Sequence, residues 1–218
     1  DEGGMVMKGL LLKDFYNLRT TLKTMLMILV IFLAFVIIRH YEFALPLIPV
    51  LLSSSLLTTV INLDKHSKWN MLMVTAPIEK KELVQEKYAL LMLLNICGIL
   101  IGTAASIPFI LSGKIKLVSF IDMTLLGWSI SLLQGTIFLT LSYLFGKNLM
   151  EKLELMMVVS YVVSFAIIIP VYFLVPDLFG TENHSLIITH FIIFLAILAV
   201  YGILEQVSIT KSVKSENL

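Results

Sequence analysis

Six long apolar stretches follow one another along this chain, at about 23–41, then Phe43 to Ile61, Tyr88 to Ile110, Phe120 to Phe145, Leu155 to Val175 and Leu186 to Leu204. Each is close to the roughly 20 residues that carry a helix across the hydrocarbon core of a bilayer. Lipid offers no hydrogen bonds, so backbone N–H and C=O groups crossing it must be satisfied within helices or closed barrels. Composition points the same way, with 58% apolar residues, only 14% charged and a mean hydropathy of +0.96, against about 25% charged in an ordinary soluble domain. Too few charges are present to cover a water-exposed surface. In 218 residues the spans leave no room for a soluble catalytic domain. The sequence therefore predicts an all-α, polytopic membrane protein with six transmembrane helices.

The first span shows the energetics. Met25 to Ile38 is an unbroken apolar run with eleven Leu, Ile, Val or Phe residues, each favouring insertion by about 0.3–0.6 kcal/mol near the bilayer centre. Lys23 and Arg39 flank it and extend their charged heads outward. Residues 1–4 read as a tag remnant, 5–24 as a helix preceding the membrane, 25–204 as the membrane domain with a long connection at 62–87, and 205–218 as a tail. No cleavable signal peptide is expected. The single cysteine, Cys97, can form no internal disulfide.

Charge placement sets the orientation. Thirteen of the sixteen Lys and Arg residues fall on one side: Lys8, Lys13, Arg19, Lys23, Lys65, Lys68, Lys80, Lys81, Lys87, Lys147, Lys152, Lys211 and Lys214. Arg39, Lys114 and Lys116 fall on the other. The positive-inside rule then puts both termini in the cytoplasm.

Several activities lack their residues. An ion-coupled transporter needs ionisable groups near the bilayer midplane, and the spans offer only Asp122 and Glu205 at their ends and His190 a few residues inside the sixth. His190 reads as an interfacial or hydrogen-bonded histidine. The four histidines form no H-E-x-x-H pair, and no G-x-x-x-x-G-K-[ST] loop is present to bind a nucleotide. An intramembrane hydrolase built from scattered Ser, Thr and His is a minor alternative, and a non-transporting membrane scaffold is another. No metal site and no nucleic-acid partner are expected.

Two segments on the inner side look mechanical. Leu11, Phe15, Leu18 and Leu22 recur at helical spacing opposite Lys13, Asn17 and Thr20, as in an amphipathic helix lying in the interface beside membrane lipid. In the connection Asn62 to Lys87, Asp64 can cap a short helix that displays Trp69, Leu72 and Met73. Pro77 then suits the first turn of a second helix running into span three, with Glu79 and Glu82 near its positive end. Gly98 and Gly102 form a small-xxx-small pair that admits a neighbouring helix. Ser53, Ser54, Ser55, Thr58 and Thr59 in span two, and Ser129, Ser131, Gln134 and Thr136 in span four, either pack helices together or line a polar path. Ser54, Thr58, Ser131 and Gln134 are the candidates for that path.

The opening L-L-L-K-D-F-Y-N-L-R at Leu10 to Arg19, together with the block from Asp64 to Tyr88, resembles the permease subunits of bacterial six-span ABC exporters. Within the block, Trp69, Pro77, Lys80, Lys81, Glu82, Lys87 and Tyr88 match the family's pattern, while Ala76 and Glu79 depart from it. The resemblance implies an N-terminal elbow helix and a coupling helix that docks on a separate ATPase subunit. The coupling residues would be Asp64, Lys65, Lys68, Trp69, Leu72, Met73, Pro77, Lys80, Lys81 and Glu82. It further implies two permease copies and two ATPase copies, with ATP and Mg bound by the ATPase and no cofactor in this chain. The relatives of this type export amphipathic peptides such as phenol-soluble modulins; similar permeases serve bacteriocin, antibiotic or ion efflux.

Overall fold

The computed structural model describes residues 2–67, 79–145, 149–179 and 183–214. Six α-helices make up nearly all of it: α1 (Glu2–Ile38), α2 (Leu47–His66), α3 (Lys80–Leu111), α4 (Leu117–Phe145), α5 (Leu149–Phe179) and α6 (Asn183–Lys214). A single 3-10 turn, Glu42–Ala44, stands between α1 and α2. Each long helix contains a segment apolar enough to cross a membrane, so the all-α reading and the six spans agree with the structure.

The helices outrun the apolar windows at the end of the bundle that carries both termini. α2 continues past Ile61 to His66, and α3 starts at Lys80, eight residues before the expected span. Neither stretch holds a residue that forbids helix, and polar residues can extend a helix beyond the lipid. The N-cap of α3 is Glu79, which forms a reciprocal capping box with Glu82, satisfying two otherwise orphaned N–H groups. The expected acidic residues at this helix start are therefore in place, and the helix is continuous with span three.

One expectation needs correction. The segment 5–24 does not form a helix distinct from the first span: α1 runs without interruption from Glu2 to Ile38. No proline interrupts it, and Gly9 lies well before the membrane segment. At 1.5 Å per residue the 37-residue helix is about 55 Å long, against a hydrocarbon core of about 30 Å. Leu10 and Leu18 are buried and Leu11 and Leu22 pack on the core, whereas Phe15 stays exposed. Most of the apolar stripe thus meets protein.

α4 is the central helix, with α2, α3, α5 and α6 packed around it. Within its candidate span 67% of the residues are buried, against 11% for the span in α1, so α4 forms the core and α1 the flank. Exposed apolar side chains such as Met27, Val30 and Phe35 on α1, or Phe173 on α5 and Ile203 on α6, are what a lipid-facing surface requires. α2 and α3 approach closely where Gly98 and Gly102 lie. A Cβ added at Gly98 would sit 2.9 Å from the Pro49 carbonyl oxygen, and one at Gly102 would sit 2.8 Å from that of Pro46. The small-residue pair serves close packing, as its spacing predicts.

The hairpins at the opposite end close on the same chemistry. α1 ends with His40 at φ 60°, its N–H bonded to the Ile37 carbonyl and the Tyr41 N–H to that of Val36. α3 ends with Gly113 at φ 73° and the equivalent pair, Gly113 to Ile110 and Lys114 to Phe109. Both are Schellman motifs, in which one left-handed residue lets two orphaned carbonyls be satisfied.

Candidate functional site

Among the described residues, the densest cluster of charge is buried at the end that holds the termini. Five ionisable side chains from three helices meet there: Lys13 and Asp14 from α1, Asp64 from α2, and Glu86 and Lys87 from α3. The Lys87 ammonium lies 2.5 Å from Asp14 Oδ2, 2.6 Å from Asp64 Oδ2 and 3.2 Å from Glu86 Oε2. Lys13 Nζ lies 2.8 Å from Asp14 Oδ1 and 2.7 Å from Asp64 Oδ1. The Asp14 side chain is fully buried, and Lys87 keeps only 10% of its exposure.

Burial opposes ionisation of Asp14. The neighbouring Glu86 side chain and the ammonium groups of Lys87 and Lys13 outweigh it and hold this carboxyl below the usual carboxylate range. A buried cluster of this kind contributes little net stability compared with apolar packing, yet removing one partner leaves a charge unpaired and costs about 3–5 kcal/mol. What it provides is fixed geometry. Asp64 sits near the end of α2 and Lys87 in the second turn of α3, so both stems of the 62–87 connection are fastened to α1.

The next residue faces the other way. The Tyr88 hydroxyl makes 2.9 Å hydrogen bonds to Thr140 Oγ1 on α4 and Ser208 Oγ on α6, and Tyr201 donates to the Tyr88 carbonyl at 2.9 Å. Consecutive residues Lys87 and Tyr88 therefore connect α3 to α1 and α2 on one side and to α4 and α6 on the other.

The sequence-predicted coupling residues divide. Asp64 does not cap a helix start; it lies inside α2, buried in the ionic cluster, because α2 continues through it. Lys65 stands in the last turn of α2, and Lys80, Lys81 and Glu82 form the first turn of α3. Lys68, Trp69, Leu72, Met73 and Pro77 lie outside the described residues. Asp14 and Glu86 are members of the site that sequence reasoning passed over. Their only signal was charge embedded in apolar flanks, at L-L-L-K-D-F and L-V-Q-E-K-Y.

The path candidates are mostly internal. Ser54, Ser131 and Gln134 have no solvent access within one copy of the chain, and Thr58 is half-buried. Ser54 Oγ donates to the Leu51 carbonyl of its own helix, and Gln134 Nε2 reaches Ser160 Oγ on α5 at 3.4 Å. Ser53, Ser55, Thr136 and Thr140 likewise donate to carbonyls one turn back, the usual way hydroxyls are satisfied in lipid-embedded helices.

At the opposite end, His190 on α6 is buried and hydrogen-bonded, with Nδ1 on Asp122 Oδ1 of α4 and Nε2 3.2 Å from the Tyr172 carbonyl of α5. Its ring stacks on Tyr172 with centroids 4.0 Å apart. The hydrogen-bonded reading of His190 agrees with the structure; Asp122, 68 positions away, was not foreseen as its partner.

The sequence model of a family described as ABC-2 family transporter protein matches residues 9–216. With nearly the whole chain covered, this protein belongs to that family of membrane permeases. Membership implies a partner ATPase subunit, in keeping with a chain that has no P-loop. No curated protein and no solved structure matches the chain.

Proposed function

We propose that this chain is the membrane-spanning subunit of an ATP-driven exporter in the bacterial plasma membrane, with both termini in the cytoplasm. Two copies work with two separate ATPase subunits, which bind ATP and Mg. The observation that carries this reading is the five-residue ionic cluster at the root of the 62–87 connection. A force on residues 68–78 must enter through α2 or α3, and the cluster joins both to α1 while Tyr88 passes it to α4 and α6. ATP binding draws the ATPase subunits together, and the connection delivers that motion to the bundle as a whole.

The substrate is hydrophobic or amphipathic, a peptide being the class that fits best. The spans hold few charges to dehydrate a soluble ion, and the outer helices offer apolar faces along which such a molecule can enter from the inner leaflet. The path then runs along the outside of each bundle, between copies, since Ser54, Ser131 and Gln134 are sealed inside one copy.

In proteoliposomes containing both subunits, Trp69→Ala and Lys80→Ala should leave basal ATP hydrolysis in place and lower substrate transport at least about tenfold, the signature of a coupling free energy of about 1.4 kcal/mol or more. Variants that pump and hydrolyse like the wild type would sink the assignment. Transport by this chain with no ATPase subunit present would sink it as well.

A further inference from the structure

Among the described residues the ionic cluster contains three carboxyl groups and two ammonium groups, an odd carboxylate where the Asp14 and Glu86 side chains are almost wholly buried. An unpaired buried charge costs several kcal/mol, so a third positive charge is needed. The described residues include no group of three His, Cys, Asp or Glu placed to hold a metal ion.

Geometry identifies the missing charge. Asp14 Oδ2 and Glu86 Oε2 both lie against the Lys87 ammonium, at 2.5 and 3.2 Å, so the two carboxyl groups are close neighbours, and one proton held between them relieves their repulsion. Glu86 Oε1 is buried, and none of the ordinary hydrogen-bond donors among the described residues reaches it. Among the described residues, the other charged or titratable groups facing this point are Lys13 of α1, Asp64 of α2 and Lys87 of α3, with Tyr143 of α4 in electrostatic range. Glu205 of α6 is within electrostatic range of Tyr88. None of these is an acid that could supply the balance, and both ammonium groups are already committed.

We propose that the Asp14–Glu86 pair is a proton-binding site, one proton bridging the two carboxyl groups and balancing the cluster so that the N-terminal part of α1 stays docked on α3. When α1 separates from α3 the proton passes to water at the membrane surface and both groups become carboxylates. Docking of α1 is thereby linked to pH. The further consequence, that pH sets how well ATP-driven motion reaches the bundle, rests on the coupling reading above.

The test uses the full chain in lipid nanodiscs. At neutral pH the infrared spectrum of the wild type should contain a protonated-carboxyl band that Glu86→Gln removes. Because the folded state holds a proton that the unfolded chain has lost above the ordinary carboxylate range of about 4, wild-type stability should fall as pH rises from about 5.5 to about 8.5. The unfolding constant should grow by up to about tenfold per pH unit. Glu86→Gln keeps the hydrogen bond without the titration, so its profile should be flatter. Asp14→Asn, whose amide can donate in place of the proton, should behave in the same way and replaces Glu86→Gln if that variant does not fold. Absence of the band in the wild type, or parallel pH profiles in wild type and variant, would overturn the proposal. If band and slope are present while Trp69→Ala and Lys80→Ala remain fully coupled, the proton site stands and the coupling reading falls; the reverse pattern removes only the proton site.

Discussion

The two ends of the bundle are fastened by different means. At the end carrying the termini, five ionisable side chains from α1, α2 and α3 share a largely buried network in which each ammonium serves at least two carboxyl groups. At the other, the His190–Asp122 pair joins α6 to α4 and His190 also meets Tyr172 of α5, while the Asp122 side chain keeps 28% of its exposure. A shared network fails as a unit, because every member depends on the others' charge, whereas a partly hydrated pair can be exchanged for water. The first end holds three helices through shared buried charge, and the second holds three through one partly hydrated pair, a backbone hydrogen bond and a ring contact.

Substitutions at each end test that contrast. The largest effect should come from Lys87→Met, which strands Asp14, Asp64 and Glu86 without their common partner and should cost about 3–5 kcal/mol in chemical unfolding of the reconstituted chain. A loss below about 1 kcal/mol would mean that the cluster is solvated and the contrast unfounded. At the other end, His190→Ala should cost less, about 1–3 kcal/mol, from a buried hydrogen bond and a ring contact. If His190→Ala proves the more damaging of the two, the ranking of the ends is inverted. Tyr88→Phe, which removes the hydroxyl bonded to Thr140 and Ser208, should cost about 1–2 kcal/mol and raise amide exchange at the end of α6. Smallest is His40→Gly. His40 holds a left-handed conformation that glycine accepts without penalty, so stability should rise by about 0.5–1 kcal/mol, whereas Gly113→Ala should lower it.

The sequence makes the spans plain because six apolar stretches in a chain with so little charge have one physical solution. It also shows that α3 admits a close neighbour, since Gly98 and Gly102 fall four residues apart on one helical face, but that the neighbour is α2 comes only from the structure. The ionic cluster is different. Lys87 and Asp14 are 73 positions apart, and no periodicity connects residues on separate helices. Lys87 reads locally as one more inner-side cation, Asp14 as part of a polar face, and Asp64 as a cap, because the continuation of α2 past Ile61 depends on tertiary contacts that local residues do not encode. The unbroken course of α1 was missed for a related reason. An amphipathic stretch followed by an apolar run suits two helices or one, and the choice is made by Leu10, Leu18 and Asp14 finding places against α2 and α3.

That unbroken course lets α1 act as a lever. Its attachment at Asp14 divides it into arms of about 18 Å toward Glu2 and about 36 Å toward Ile38, at 1.5 Å per residue. A tilt about the attachment displaces the far tip about twice as far as the near one, in the opposite direction. Small movements beside the chain's beginning are thus magnified where α1 turns into the first hairpin, on the far surface of the membrane.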